Sequence, residues 1–224
     1  MALLSEEAVL GLAPHESVEE YSSWLLPAVN QLLNQAGVRM AEISGYAVAA
    51  GPGSFTGVRV GLTSVKAWAE VYGQPVLAVS RLEAFAAEAT GASPYVAAFV
   101  NAQRGQVFGA VYRREGAWST LVGEEMVIAP EKFIETVAEL GVGQRVNWVS
   151  PDAALITGEA PWKGRKERGE FVEQVSATVA PTIGRIGVRR LKQGKTTDAL
   201  GLDANYVRRS DAEIFWKGGA AHGH

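Results

Sequence analysis

Apolar residues in this chain fall into short continuous runs that alternate with stretches of helical spacing. That pattern predicts strands buried on both faces and amphipathic helices packed over them. Met1–Leu4 and Ala8–Leu12 read as two short strands joined by the polar Ser5-Glu6-Glu7. Ser17 and Glu20 have the spacing of a capping box opening a helix to about Ala36, with Leu25, Val29 and Leu32 on its core face and Gly37 as its C-terminal cap. A short turn over Met40–Ser44 precedes a strand at Tyr46–Ala50, and a glycine-rich bend then leads into a long helix ending at Gly73. Pro75–Val79 is a further strand, and Ser80 with Glu83 caps a helix to about Thr90.

Beyond this point the pattern changes. Tyr95–Ala102 and Gln106–Tyr112 read as a hairpin around Arg104-Gly105, with a third strand at Trp118–Glu124. Pro130 opens a helix over Glu131–Leu140, ended by Gly141. Val146–Ser150 and Ala154–Thr157 read as strands, Lys163–Arg168 as a basic loop, and Pro181–Gln193 as a helix carrying Arg185, Arg189, Arg190 and Lys192 on its wet side. Leu200–Arg209 is expected to return to the fold as a loop or edge strand.

The bend Gly51–Gly57 carries the sharpest chemical pattern. A strand, a glycine turn and a helix N-terminus make an anion site when free N–H groups converge. Gly51, Gly53, Ser54, Thr56 and Gly57 are the phosphate candidates, and Ser54 or Thr56 caps the helix. Two stricter patterns fail. Val58 and Arg59 follow Gly57 where a phosphate loop needs lysine and a hydroxyl, and Thr56 stands where a dinucleotide fingerprint needs glycine. A turn that lets a helix pack tightly is therefore the preferred reading. Tyr21 and Trp24 are either core or interface anchors, since the apolar face of their helix is wide for one sheet.

Charge and rare residues narrow the classes further. A net charge of −3 argues against a domain that grips nucleic acid unaided. The absence of cysteine excludes disulfides and thiolate metal sites, and the three histidines (His15, His222, His224) form no pair of ligand spacing. Ser54 has no evident base, and no G-x-S-x-G elbow occurs. No apolar run approaches a membrane span, so a cytoplasmic protein is expected.

The run Gly51-Pro52-Gly53-Ser54-Phe55-Thr56-Gly57-Val58-Arg59-Val60-Gly61, continued by Pro75–Ala84, resembles the TsaB family of tRNA threonylcarbamoyladenosine biosynthesis proteins. Leu25-Leu26-Pro27, the hairpin Asn101–Phe108 and Tyr206-Val207-Arg208-Arg209 add to the likeness. The resemblance implies an α/β, actin-like (ribonuclease H-like) two-lobe fold, with lobes at 1–100 and 101–217 and a disordered tail at 218–224. Members of the family begin with a strand carrying an Asp-Thr-Ser motif in the middle of the N-terminal sheet, and nothing here matches it. That first strand therefore reads as missing: either the natural start lies upstream, which is preferred, or another segment or chain fills the gap.

Function follows from the resemblance alone. It implies a non-catalytic scaffold of threonylcarbamoyladenosine (t6A) synthesis that binds a TsaD-like subunit, with a TsaE-like ATPase completing the assembly. It also implies a homodimer when TsaD is absent, and contact with tRNA only through the complex. No cofactor is expected on this chain, ATP and metal belonging to the partner subunits. The implied partner interface comprises Tyr21, Trp24, Leu25, Phe55, Gly57, Val58, Gly61, Ser64, Val65 and Trp68. A nucleotide-dependent enzyme of the actin-like superfamily and a glycoprotease-like peptidase stand as alternatives.

Overall fold

The computed structural model describes residues 1–15, 19–116, 118–141, 143–196, 201–203, 205 and 207. The chain opens with a hairpin of β1 (Ala2–Leu4) and β2 (Val9–Leu12), turned by the Ser5 hydroxyl, which accepts from the Glu7 and Ala8 N–H groups. Next come α1 (Tyr21–Ala36), a 3-10 turn at Met40–Glu42, β3 (Tyr46–Gly51), α2 (Phe55–Tyr72), β4 (Val76–Ser80) and α3 (Arg81–Glu88). The second half holds β5 (Tyr95–Gln103), β6 (Gln106–Glu115), β7 (Trp118–Ile128), α4 (Pro130–Leu140) and β8 (Val146–Ser150). It ends with α5 (Ala154–Thr157), α6 (Trp162–Glu167), β9 (Val172–Gln174) and α7 (Ala180–Lys192).

Three sheets result among the described residues. β1 pairs only with β2, β3 pairs in parallel only with β4, and five strands run in the order β7-β6-β5-β8-β9. The last sheet starts at Tyr95 and β5 runs through residue 100, where the lobe boundary is expected; α7 returns to lie against β1, β3 and β4.

Side-chain alternation fixes the layers around the smaller sheets. Gly61 of α2 stands against Val48, while Gly187 of α7 stands against Ala47, so the two helices cover opposite faces of β3–β4. On β1–β2, Leu32 of α1 packs at Gly11 and Gly184 of α7 lies at Leu4. Leu3 is the partner of Gly11 across the hairpin, so Leu4 points to the other face and α1 and α7 again lie on opposite sides.

Several elements differ from the sequence reading, each for a local reason. α1 begins at Tyr21 with Glu20 as an extended N-cap that makes no side-chain cap bond, and Ser17 lies outside the described residues. His15 Nε2 donates to the Glu19 carbonyl at 2.8 Å, holding that residue out of the helix. Ser80 caps α3 as expected, but Glu83 does not close the box: both its oxygens accept from Arg190 Nη2 at 2.7 Å. Ala154–Thr157 is a single helical turn rather than a strand, started by the Asp152 carboxylate accepting from the Ala154 N–H. The basic stretch Lys163–Arg168 is largely helix α6, with Arg165 turned inward. The expected edge strand and the tail lie mostly outside the described residues; within them, Leu202 is buried and the Asn205 N–H donates to the Ala50 carbonyl.

Candidate functional site

The glycine bend after β3 is held from two sides. Gly51 has φ 119, a left-handed value that only glycine adopts without strain, and the Asn205 carbonyl lies 2.8 Å from where a Cβ would stand. Gly51 and Pro52 are thereby buried, and Gly53 lies beside the Arg81 guanidinium. Ser54, not Thr56, is the cap: its hydroxyl accepts from the Gly57 N–H at 3.3 Å. Ser54 and Thr56 are exposed, so an anion at this turn would meet Ser54–Gly57 rather than the covered Gly51.

The expected interface residues divide into two groups. Tyr21 and Phe55 are large, apolar and exposed at 41% and 44%. His15 stacks on Tyr21 with ring centroids 4.4 Å apart and meets Trp24 edge-on at 4.8 Å. Gly57 lets the Tyr21 ring approach α2, a Cβ there falling 3.5 Å from it, and the Arg59 guanidinium lies 3.8 Å above the Phe55 ring. Together they form a surface of rings across the starts of α1 and α2.

The second group faces inward. Val65 is buried against Tyr46, Val48 and Leu62, and Val58 packs on the same cluster. Leu25, Gly61, Ser64 and Trp68 line an apolar cavity of about 1040 Å³ between the two small sheets. Gly61 thus accommodates Val48 and, with Ser64, borders this cavity, while Gly57 accommodates Tyr21; the periodicity that singles them out is the same for an inward or an outward role.

A separate cleft joins the two halves of the chain. Ser80, Glu83, Tyr112, Glu125, Arg190 and Asn205 line a cavity of about 620 Å³. Glu125 accepts from the Tyr112 hydroxyl at 2.9 Å, from Asn205 Nδ2 at 2.7 Å and from the Ser80 hydroxyl. Burial holds the Glu83 carboxyl above the usual range despite Arg190, and burial together with Glu125 raises the Tyr112 phenol. Sequence reasoning missed this cluster. Its members come from separate elements, and only the Ser80–Glu83 cap left a local signal. Among the described residues no group of three or more His, Asp or Glu is placed to hold a metal ion, and no helix is long and apolar enough to cross a membrane.

Comparison with known proteins places this geometry. A family model described as TsaD, tRNA N6-adenosine threonylcarbamoyltransferase, matches residues 4–150. The tRNA threonylcarbamoyladenosine biosynthesis protein TsaB of Escherichia coli (strain K12) is 31% identical over 208 residues, covering 88% of this chain and 84% of that protein. The tRNA N6-adenosine threonylcarbamoyltransferase of Rhodopseudomonas palustris (strain TIE-1) is 45% identical, but over 76 residues, which cover 34% of this chain and 21% of that enzyme. YeaZ from Pseudomonas aeruginosa superposes with a TM-score of 0.70 at 27% identity, over 91% of this chain and 93% of its own. The near full-length matches and the α/β fold agree, whereas the likeness to this transferase is confined to about a third of the chain.

Proposed function

This chain belongs to the TsaB family of tRNA threonylcarbamoyladenosine biosynthesis proteins, and from that membership we propose that it is a scaffold subunit of t6A synthesis. It docks a TsaD-like threonylcarbamoyltransferase, and a TsaE-like ATPase joins the assembly. ATP, the metal ion and the transfer chemistry reside on those partners, and tRNA is met only through the complex. Without the TsaD-like subunit, the same face pairs two copies of this chain.

One observation carries the reading: the exposed rings of Tyr21 and Phe55, backed by His15, Trp24 and Gly57. Exposed aromatic anchors over a packed helix pair are the composition of interface centres. The inward position of Gly61 and Ser64 makes them supports for this surface.

The test is a titration of the cognate TsaD-like protein into this chain by calorimetry. Tyr21→Ala and Phe55→Ala are each expected to weaken binding by at least about 2 kcal/mol, roughly thirtyfold, with the melting temperature held within a few degrees. Unchanged affinity in both variants would remove the mapped face. Turnover of ATP with magnesium by the isolated chain would remove the scaffold reading itself.

A further inference from the structure

After α7 the chain crosses once more between its two halves, and Leu202, Asn205 and Val207 fix that crossing. Leu202 is buried among Tyr46, Val48, Leu62 and Val65, in the cluster shared by β3 and α2. Val207 packs on the cluster that contains Ala110 and Tyr112 of β6. Between them, Asn205 is held twice: its N–H donates to the Ala50 carbonyl at 2.8 Å, and its Nδ2 donates to Glu125 Oε2 on β7 at 2.7 Å. Its own carbonyl lies against Gly51. One residue thus grips the end of β3 with its backbone and the edge strand of the large sheet with its side chain.

The far side of this contact is prepared in advance. The Ser80 and Tyr112 hydroxyls both donate to Glu125 Oε1, which leaves Oε2 for Asn205. Glu83 and Arg190 face the same cavity of about 620 Å³ and pair with each other, and Asn205 and Val207 form part of its wall. The near side is soft. Gly51, Gly53 and Gly57 give the bend many backbone alternatives, and Phe55 rides on it. Asn205 is exposed, so its two hydrogen bonds compete with water and the tie is easily undone.

We propose that Leu202, Asn205 and Val207 act as a latch on the Gly51–Gly57 bend, with the Asn205–Glu125 contact as its catch. Closed, the latch fixes the start of α2 and with it the position of the Phe55 ring. Open, it frees the bend and uncovers the cavity behind Asn205. The second half, through β7, thereby sets the order of a surface that belongs to the first. That the latch governs docking rests on the function proposed above; that it orders the bend does not.

The test uses the full chain of 224 residues. Asn205→Asp sets a carboxylate against Glu125 and is expected to speed amide exchange at least about tenfold at Gly57 and Val58, whose N–H groups donate to Ser54. Exchange at residues 96–100 in the buried β5 is expected to stay unchanged, which shows that the chain remains folded. Adding Glu125→Gln is expected to return the slow exchange, because a carboxamide at 125 donates to the new carboxylate while its oxygen still accepts from Ser80 and Tyr112. Asn205→Ala, which removes the donor without adding charge, is expected to speed the same exchange about threefold. In titrations with the cognate TsaD-like protein, Asn205→Asp is expected to weaken binding about tenfold and the double variant to restore it. Unchanged exchange at Gly57 and Val58 in Asn205→Asp, or no recovery in the double variant, overturns the latch. Where Phe55→Ala weakens docking and Asn205→Asp does not, control of docking is overturned. Where Phe55→Ala has no effect, the docking face itself fails, and the exchange result alone decides the latch.

Discussion

From Tyr95 onward, five strands form one continuous sheet, and Phe99, Val107, Phe133 and Trp148 are fully excluded from solvent. Before Tyr95, similar strands and helices form two separate pairs; Val76, Val79 and Phe85 are excluded from solvent there too, but Val48 and Val65, beside the large cavity, each keep 8% exposure. Amino-acid type does not account for the difference, since both halves are rich in Val and Ala. Backbone pairing does: a sheet continuous across its width brings side chains from neighbouring strands into contact, whereas an open edge leaves each layer with a free flank. Packing therefore loosens along the open edge beside the cavity, and stability should be concentrated away from it, in the second half.

The largest test of that contrast compares one truncation from each half. Trp148 touches Phe133 and Trp162 edge-on and donates from Nε1 to Glu170 at 2.7 Å. Trp148→Ala is expected to cost about 4 kcal/mol in urea unfolding, near the middle of the range for buried aromatic truncations. Leu33→Ala, on the wall of the cavity, is expected to cost about 2 kcal/mol, the low end for leucine, because that side chain already lacks neighbours on one side. Equal costs would break the comparison.

A second test concerns charge in the closed half. Arg165 Nη1 and Glu170 Oε1 lie 3.4 Å apart with side-chain exposures of 6% and 1%, and Arg165 Nη2 has no partner. Glu170→Gln preserves an acceptor for Trp148 but leaves the guanidinium buried without a countercharge. A loss of about 3 kcal/mol is expected, measured by the same urea titration. Adding Arg165→Met to Glu170→Gln should restore most of it, because no charge is then left alone and the Trp148 N–H keeps its acceptor.

How much of this was legible in the sequence depends on how local each signal is. Ser54, Ser80, Gly37 and Gly73 mark helix ends through contacts within a few residues, and all four sit at caps. The hairpin around Arg104-Gly105 was equally readable, since left-handed φ at Gln103, Arg104 and Gly105 turns the chain in place. Ala154–Thr157 was misread because four apolar residues fit a strand or one helical turn, and the Asp152 carboxylate decides between them. β9 is too short for a period, and Arg165 in a basic run gave no sign of the glutamate that draws it inside. On the candidate face, Tyr21 was legible as core or interface, and its ring stands exposed. Gly61 and Ser64 were legible only as small, and whether a small residue faces a partner or its own sheet is settled by tertiary packing.

The smallest effect tests the seam between the halves. Glu173 on β9 accepts from the Thr90 N–H at 2.7 Å, the Thr90 hydroxyl at 2.8 Å and the Gly91 N–H at 3.0 Å, tying the link after α3 to the large sheet. Burial pushes its carboxyl pKa up, but these donors and Arg114 outweigh that, and the net shift is downward. The folded state therefore favours the ionised form. Its contribution is complete above the ordinary glutamate range of about pH 4 and is lost as pH falls through that range toward the depressed folded value. Glu173→Gln is expected to cost about 1 kcal/mol near neutral pH, a figure kept small because the carboxylate is partly open to water. The gap between the two proteins should close as pH is lowered, which thermal melts at a series of pH values would follow. A gap that stayed constant with pH would mean that the seam is held by shape alone, and that ionisation of Glu173 adds nothing to the joining of the tightly closed half to the open one.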